Sequence, residues 1–219
     1  ASTVIVYSHK QEEHYIRRFS VPKEQLVCVP YYTTCWDTSY HVTEGEYIFS
    51  GGDYTRDYAS LITAVRDRPY RTVIAARFRH YFDAINVPPN VEIVTVGHSE
   101  FFRLMSGARV VVVPLKGGLL QSGGQQTYLN AMAMGKPVIV ADDCGASEYI
   151  RDGHTGIVIP PEDPMAMRAA LERVWNDTAL ASRLGANAQR AAQSFSPDRF
   201  FTTILKIVEN AVRANRCRC

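Results

Sequence analysis

RVVVVPLKGGLLQSGGQQTYLNAMAMG, residues 109–135, is the stretch on which the reading of this chain turns. It opens with an apolar, β-branched run, passes through a loop with four glycines, and closes in an alanine- and methionine-rich segment of helical character. A strand, a glycine loop and a helix in that order form the ligand-binding corner of an open α/β sheet. The amides of Gly123, Gly124 and Gln125 are expected to converge at the helix start, where unpaired N–H groups and the helix dipole favour an anion such as a phosphate. Lys116 adds a positive charge on the same loop. A flexible surface loop is the alternative. Lys136 follows Gly135, but Pro137 comes next and the upstream glycine spacing is wrong, so this is not a P-loop.

Outward from this corner, short β-rich runs alternate with helix-period segments. Strands are expected at 3–7, 25–29, 47–50, 72–75, 91–96, 109–113, 137–141 and 156–159. Helices are expected at 9–19, 56–66, 99–106, 125–134 and 146–150, then at 164–175, 179–194 and 197–214. Several strands are almost wholly apolar, as strands covered on both faces are. The alternation predicts an α/β fold: a doubly wound parallel sheet, Rossmann-like, with C-terminal helices. Met167, Ala170, Leu171 and Val174 form one amphipathic face, and Asp163-Pro164 and Ser196-Pro197 are helix-start signals. The aperiodic stretch 31–46 reads as a connector. The chain accordingly divides into an N-terminal unit with its connector (1–45), the main domain (46–195) and a C-terminal helix and tail (196–219).

Two other strand ends carry possible chemistry. Tyr47 to Arg56 is a strand running into Gly51-Gly52 and a helix, where the glycines let a ligand approach the backbone and Arg56 offers a charge for a phosphate. A plain tight connection is the competing reading, and the spacing is not the dinucleotide fingerprint G-x-G-x-x-G. Arg56 is expected one turn into an exposed helix start, contributing little to the core. Asp142-Asp143 could bind a metal, but capping the next helix is the favoured role. The glycine-bearing loops at Gly51, Gly123 and Gly145 are expected to converge at one edge of the sheet. The six histidines form no i, i+4 pair, and no Ser/His/Asp elbow or H-E-x-x-H occurs. No metal site is expected.

Composition excludes other classes. Of 219 residues 46% are hydrophobic and 21% charged, ordinary for a globular protein, and a net charge of +2 gives no reason to expect a nucleic-acid footprint. The five scattered cysteines suit a reducing compartment, with Cys217-Arg218-Cys219 a remote candidate chelate. The opening ASTVIVYSHK has no basic n-region, and the longest apolar run is strand-sized, so neither a signal peptide nor a transmembrane segment is expected, and the location is expected to be cytoplasmic.

Taken together, these segments resemble the retaining glycosyltransferases built from two facing Rossmann-like domains (the GT-B type, group 1). Residues 47–65 resemble the first strand, turn and helix of the family's nucleotide-sugar-binding domain, with Arg56 where a lysine commonly meets the diphosphate. NAMAMGKPVIVAD, residues 130–142, resembles the family's E-A-M-A-x-G-x-P-V-I-x-x-D block. Residues 148–163 resemble its E-x-I-x-D-G-x-x-G-x-x-V-x-P-x-D stretch, and residues 1–30 the last strand and helix of its acceptor domain. The resemblance implies transfer of a glycosyl group from a nucleoside-diphosphate sugar, UDP favoured, to an unknown acceptor without a further cofactor. Arg56 and Ser122 would be catalytic, and Gly51, Gly52, Arg56, Lys116, Gly123, Gly124, Gln125 and Asn130 would hold diphosphate and ribose.

Two departures stand out. The family's two glutamates, eight positions apart, fall here on Ser122 and Asn130, which can hydrogen-bond but carry no charge. Most of the first domain is missing, so the chain is expected to bind donor without transferring sugar by itself. The helix at 197–214 would then expose Phe200, Phe201, Ile204, Ile207 and Val208 for self-association. A non-catalytic nucleotide-sugar-binding module, and an epimerase of the same architecture, are the alternatives.

Overall fold

The structure, a computed structural model, describes residues 3–36, 42–43, 45–142 and 144–216, the last three as backbone only. Asp143, Cys217 and Cys219 lie outside the described residues. Six parallel strands form the main sheet: β3 (Tyr47–Gly51), β4 (Arg71–Ala75), β5 (Val91–Val94), β6 (Val110–Val113), β7 (Val138–Ala141) and β8 (Ile157–Ile159). β1 (Val4–Val6) and β2 (Leu26–Cys28) pair parallel in a separate two-stranded sheet around α1 (His9–Phe19). Ser8 caps α1 by accepting from Gln11 N, and left-handed Ser20 ends it.

The main sheet runs in the order β5-β4-β3-β6-β7-β8. From β3 the chain winds outward to β5, then returns to β6 and winds the other way. The strand order reverses between β3 and β6, where an open parallel sheet leaves a crevice at the carboxyl ends of its strands. The all-valine β6 is wholly buried, and β7 with it. Covered on both faces, these strands have no need of polar alternation.

The helices follow the apolar spacing. α2 (Tyr58–Val65), α3 (His98–Ser106) and α4 (Gln125–Ala133) are the crossovers. Four residues of α5 (Pro164–Asn176) are buried: Met167, Ala170, Leu171 and Val174, the face read from the sequence. The helix packs on α2 and α6 (Thr178–Ala192). Asp163 caps it, its Oδ1 accepting from Met165 N at 3.0 Å and Ala166 N at 2.9 Å. Asp163→Ala is expected to cost about 1 kcal/mol, lowering the thermal midpoint by roughly 2–4 °C for a chain of this size, as calorimetry would measure.

Two expectations need correction. Residues 146–150 form a single 3-10 turn, Ala146–Glu148, because left-handed Gly145 and the Asp142 carboxylate, which gathers the amides of Gly145, Ala146 and Ser147, fix a tight turn. Asp142 is thus a capping residue. On α7 (Pro197–Arg216), Phe200 does not belong to an exposed face: its ring packs among Tyr7, Tyr31 and Tyr32. Phe201, Leu205, Val208 and Val212 are the exposed apolar residues. Among the described residues no helix is long and apolar enough to cross a membrane.

Candidate functional site

A cavity of about 590 Å³ opens at the switch point between β3 and β6. Its floor comes from the turn after β3 (Gly52, Asp53, Tyr54, Arg56) and from the first two turns of α4 with its cap: Gly124, Gln125, Thr127 and Asn130. α4 has a glycine N-cap and no side chain capping it. Gly124 is left-handed at φ 76°, and a Cβ there would lie 2.9 Å from Val113 Cγ1 and 3.5 Å from Arg56 Nη1. Only glycine fits this position. The missing side chain lets the arginine come close to the start of α4.

Arg56 differs most from its sequence reading. It precedes α2, whose N-cap is Asp57, and is 4% exposed rather than solvated. Its guanidinium donates to Gly51 O at 3.0 Å, Tyr54 O at 2.8 Å and Thr127 Oγ1 at 3.0 Å. All three acceptors are neutral. Among the described residues no carboxylate forms an ion pair with it. Burial pulls its pKa down from the usual arginine value, opposed by Tyr58 and Asp53. The group stays charged at neutral pH, so the cavity holds a desolvated cation that no described carboxylate pairs with directly, the nearby Asp53 being bonded to Arg77 instead. Nearby, Gln125 Nε2 is buried with no hydrogen-bond partner, an unsatisfied donor at the cavity wall.

The other expected residues divide. Gly52, Arg56, Gly124, Gln125 and Asn130 line the cavity, whereas Gly51, Lys116, Ser122 and Gly123 do not. Lys116 is exposed, its amide bonded to Thr55 O. Gly123 lies against Thr55, and Gly51 serves as an acceptor for Arg56. Ser122 is turned toward the N-terminal unit: its Oγ is 2.6 Å from Ser8 Oγ and donates to Cys144 O at 2.8 Å. Asn130, 1% exposed, fastens the connector. Its Oδ1 accepts from Thr33 Oγ1 and Thr34 N, both at 2.8 Å, and its Nδ2 donates to Thr34 Oγ1 at 2.9 Å. An amide so engaged has little capacity left for a ribose. The three glycine-bearing loops do converge, since Gly124 faces Arg56 and Gly145 lies against Ser8 beside Ser122.

Part of the wall escaped sequence reasoning. Arg77, Val96, Gly97, His98, Phe101 and Phe102 border the cavity. All follow the carboxyl ends of β4 and β5, and that position was the available signal. Arg77 Nε and N both donate to Asp53, each at 2.6 Å. Burial raises the Asp53 pKa, but these bonds outweigh it and hold the carboxyl below its usual range. His98 stands edge-on to Phe102 at 4.4 Å between ring centres, giving that wall an aromatic surface.

Comparison with known proteins agrees with this architecture. The D-inositol 3-phosphate glycosyltransferase of Streptomyces bingchenggensis is 34% identical over 88 residues, 40% of this chain and 19% of that protein. The alpha-D-kanosaminyltransferase of Streptomyces kanamyceticus is 40% identical over 60 residues, 27% of this chain and 16% of the relative. Anabaena HepE, solved in complex with UDP-glucose, superposes with a TM-score of 0.82 at 17% identity, over 96% of this chain and 64% of its own, which bears on the fold alone. In each case the chain spans less than two thirds of the relative's length. The family model described as "Glycosyl transferases group 1" matches residues 57–177, more than half of the chain. With its parallel sheet and its site at the β3–β6 switch point, this chain belongs to the group 1 glycosyl transferases.

Proposed function

We propose that this chain binds the nucleoside diphosphate of a sugar donor in the cavity between β3 and β6, and supplies the donor side of a retaining glycosyl transfer. The observation that carries this reading is the buried Arg56 guanidinium, in no ion pair among the described residues, beside the N-terminus of α4, which no side chain caps. Two positive elements facing one another call for an anion, and a diphosphate is long enough to meet both. When the bond between sugar carbon and diphosphate oxygen breaks, negative charge grows on the departing group, and fixed donors stabilise it without reorganising. The aromatic wall of His98, Phe101 and Phe102 suits a base, and the volume falls in the range usual for small-ligand sites. Lys116, being exposed and outside the cavity, has no part in this reading. Uridine is favoured by the UDP-glucose complex of HepE.

Calorimetric titration with UDP, GDP, ADP and NAD tests the proposal. UDP is expected to bind and NAD not. At ~100 times its dissociation constant UDP should add about 2.7 kcal/mol of stability, raising the thermal midpoint by roughly 5–11 °C. No heat from any of the three nucleoside diphosphates at millimolar concentration would overturn it.

The bonds of Ser122 and Asn130 favour a second reading, in which the chain binds nucleotide sugar and transfers nothing. Both side chains are occupied by the N-terminal unit and connector rather than directed to a ligand. An assay with several UDP-sugars and a panel of acceptors separates the two. Glycosylated product formed faster than the donor hydrolyses would exclude the second.

A further inference from the structure

Outside the donor cavity, the N-terminal unit meets the loop after β7, and three metal-ligating side chains converge there. His9 opens α1, Cys28 closes β2, and Glu148 ends the 3-10 turn. Because β1 and β2 run parallel, the residues leaving β1 and the last residue of β2 share one edge. His9 Nδ1 is 2.8 Å from Glu148 Oε2 and 4.0 Å from Cys28 Sγ, and the three donor atoms all lie within 4.8 Å of one another. Glu148 is held in place, its Oε2 accepting from His9 N at 2.9 Å and its Oε1 from Lys10 N at 3.0 Å. The Lys10 ammonium is directed to Asp142 at 3.2 Å, so it does not neutralise Glu148 by direct pairing.

We propose that His9, Cys28 and Glu148 bind a divalent transition-metal ion of the zinc class, with water in the fourth position, and that the ion fastens the N-terminal unit to the main domain. An imidazole nitrogen, a thiolate sulfur and a carboxylate oxygen form a donor set that suits zinc and is foreign to calcium and magnesium. A tetrahedral ion with bonds of about 2.0–2.3 Å separates its donors by roughly 3.3–3.6 Å. The observed 2.8 and 4.0 Å lie on either side of that range, and the largely exposed His9 ring is free to adjust.

The protons balance simply. Metal–sulfur bond formation expels the thiol proton to solvent, the His9 ring proton passes through solvent from Nδ1 to Nε2 so that Nδ1 can bind, and ionised Glu148 exchanges its bond from the ring for one to the metal. Burial, then the charges of Glu148 and Glu12, push the Cys28 thiol up to about 11. Of these, only the two carboxylates favour an arriving dication; the burial does not. The ligands lie 19 and 139 residues from His9 in sequence, so no motif announces them.

Cobalt(II), added to the full chain carrying Cys217→Ser and Cys219→Ser, tests the site. A thiolate-to-cobalt charge-transfer band saturating at one ion per chain, bleached by zinc, is the expected result, with a higher thermal midpoint in the presence of zinc. Cys28→Ser should abolish the band, and His9→Ala and Glu148→Gln should each weaken binding at least tenfold; the glutamine still offers an acceptor to the α1 amides, which protects the fold. No band at millimolar cobalt, or a band that survives in a folded Cys28→Ser chain, overturns the proposal.

Discussion

Arg56→Ala is expected to raise the dissociation constant for UDP by roughly 10- to 150-fold, from the loss of one charge-assisted hydrogen-bonding group worth about 1.5–3 kcal/mol. Sequence alone suggested that binding would suffer much more than folding. Burial changes that expectation. The guanidinium holds Gly51 O, Tyr54 O and Thr127 Oγ1 together, joining the turn after β3 to α4. Alanine would leave these acceptors without their donor and open a void, costing about 2–3 kcal/mol of stability as well. Arg56→Lys separates the two roles. It keeps the charge but cannot span three acceptors with one planar fork, so it should recover part of the binding and little of the stability. Calorimetry and urea denaturation on the same samples measure both. Unchanged UDP affinity in the alanine variant would show that this charge does not face the ligand.

Gly185→Ala should do more damage than any surface change, although it adds one methyl group far from the cavity. Gly185 is buried in α6, where α6 crosses the end of α4. A Cβ there would be driven into the carbonyl oxygen of Gly135 and lie 3.1 Å from its carbon, both backbone atoms. No rotamer relieves a clash with backbone, so one of the helices must move. A loss of about 3 kcal/mol is expected, at the upper end of overpacking costs, with a fall in thermal midpoint of roughly 6–12 °C. Because α4 carries Gly124 and Gln125 to the cavity, nucleotide affinity should weaken too. A midpoint within a degree of the parent chain would mean that α6 is free to slide.

The elements of this fold were legible because their signals are local. Buried parallel strands are written as runs such as Val110–Val113, and the α5 face as a 3.6-residue spacing, neither needing a distant partner to be read. The glycine loop before α4 could likewise be placed at a corner of the sheet from a few adjacent residues. The site itself depended on contacts between segments far apart. Arg56 has the same residue type whether solvated or buried, and only the approach of α4 to the turn after β3 strips its water away. Ser122 and Asn130 offer the same hydrogen bonds to a sugar as to protein, and their engagement by Ser8, Thr33 and Thr34 was settled by where the N-terminal unit docks. Thus the sequence by itself determined the α/β architecture and the glycine-bearing corner, through backbone and hydrophobic preferences set within a few residues. The tertiary structure alone decided which polar side chains face the cavity, because desolvation and hydrogen-bond saturation depend on neighbours brought together from across the chain.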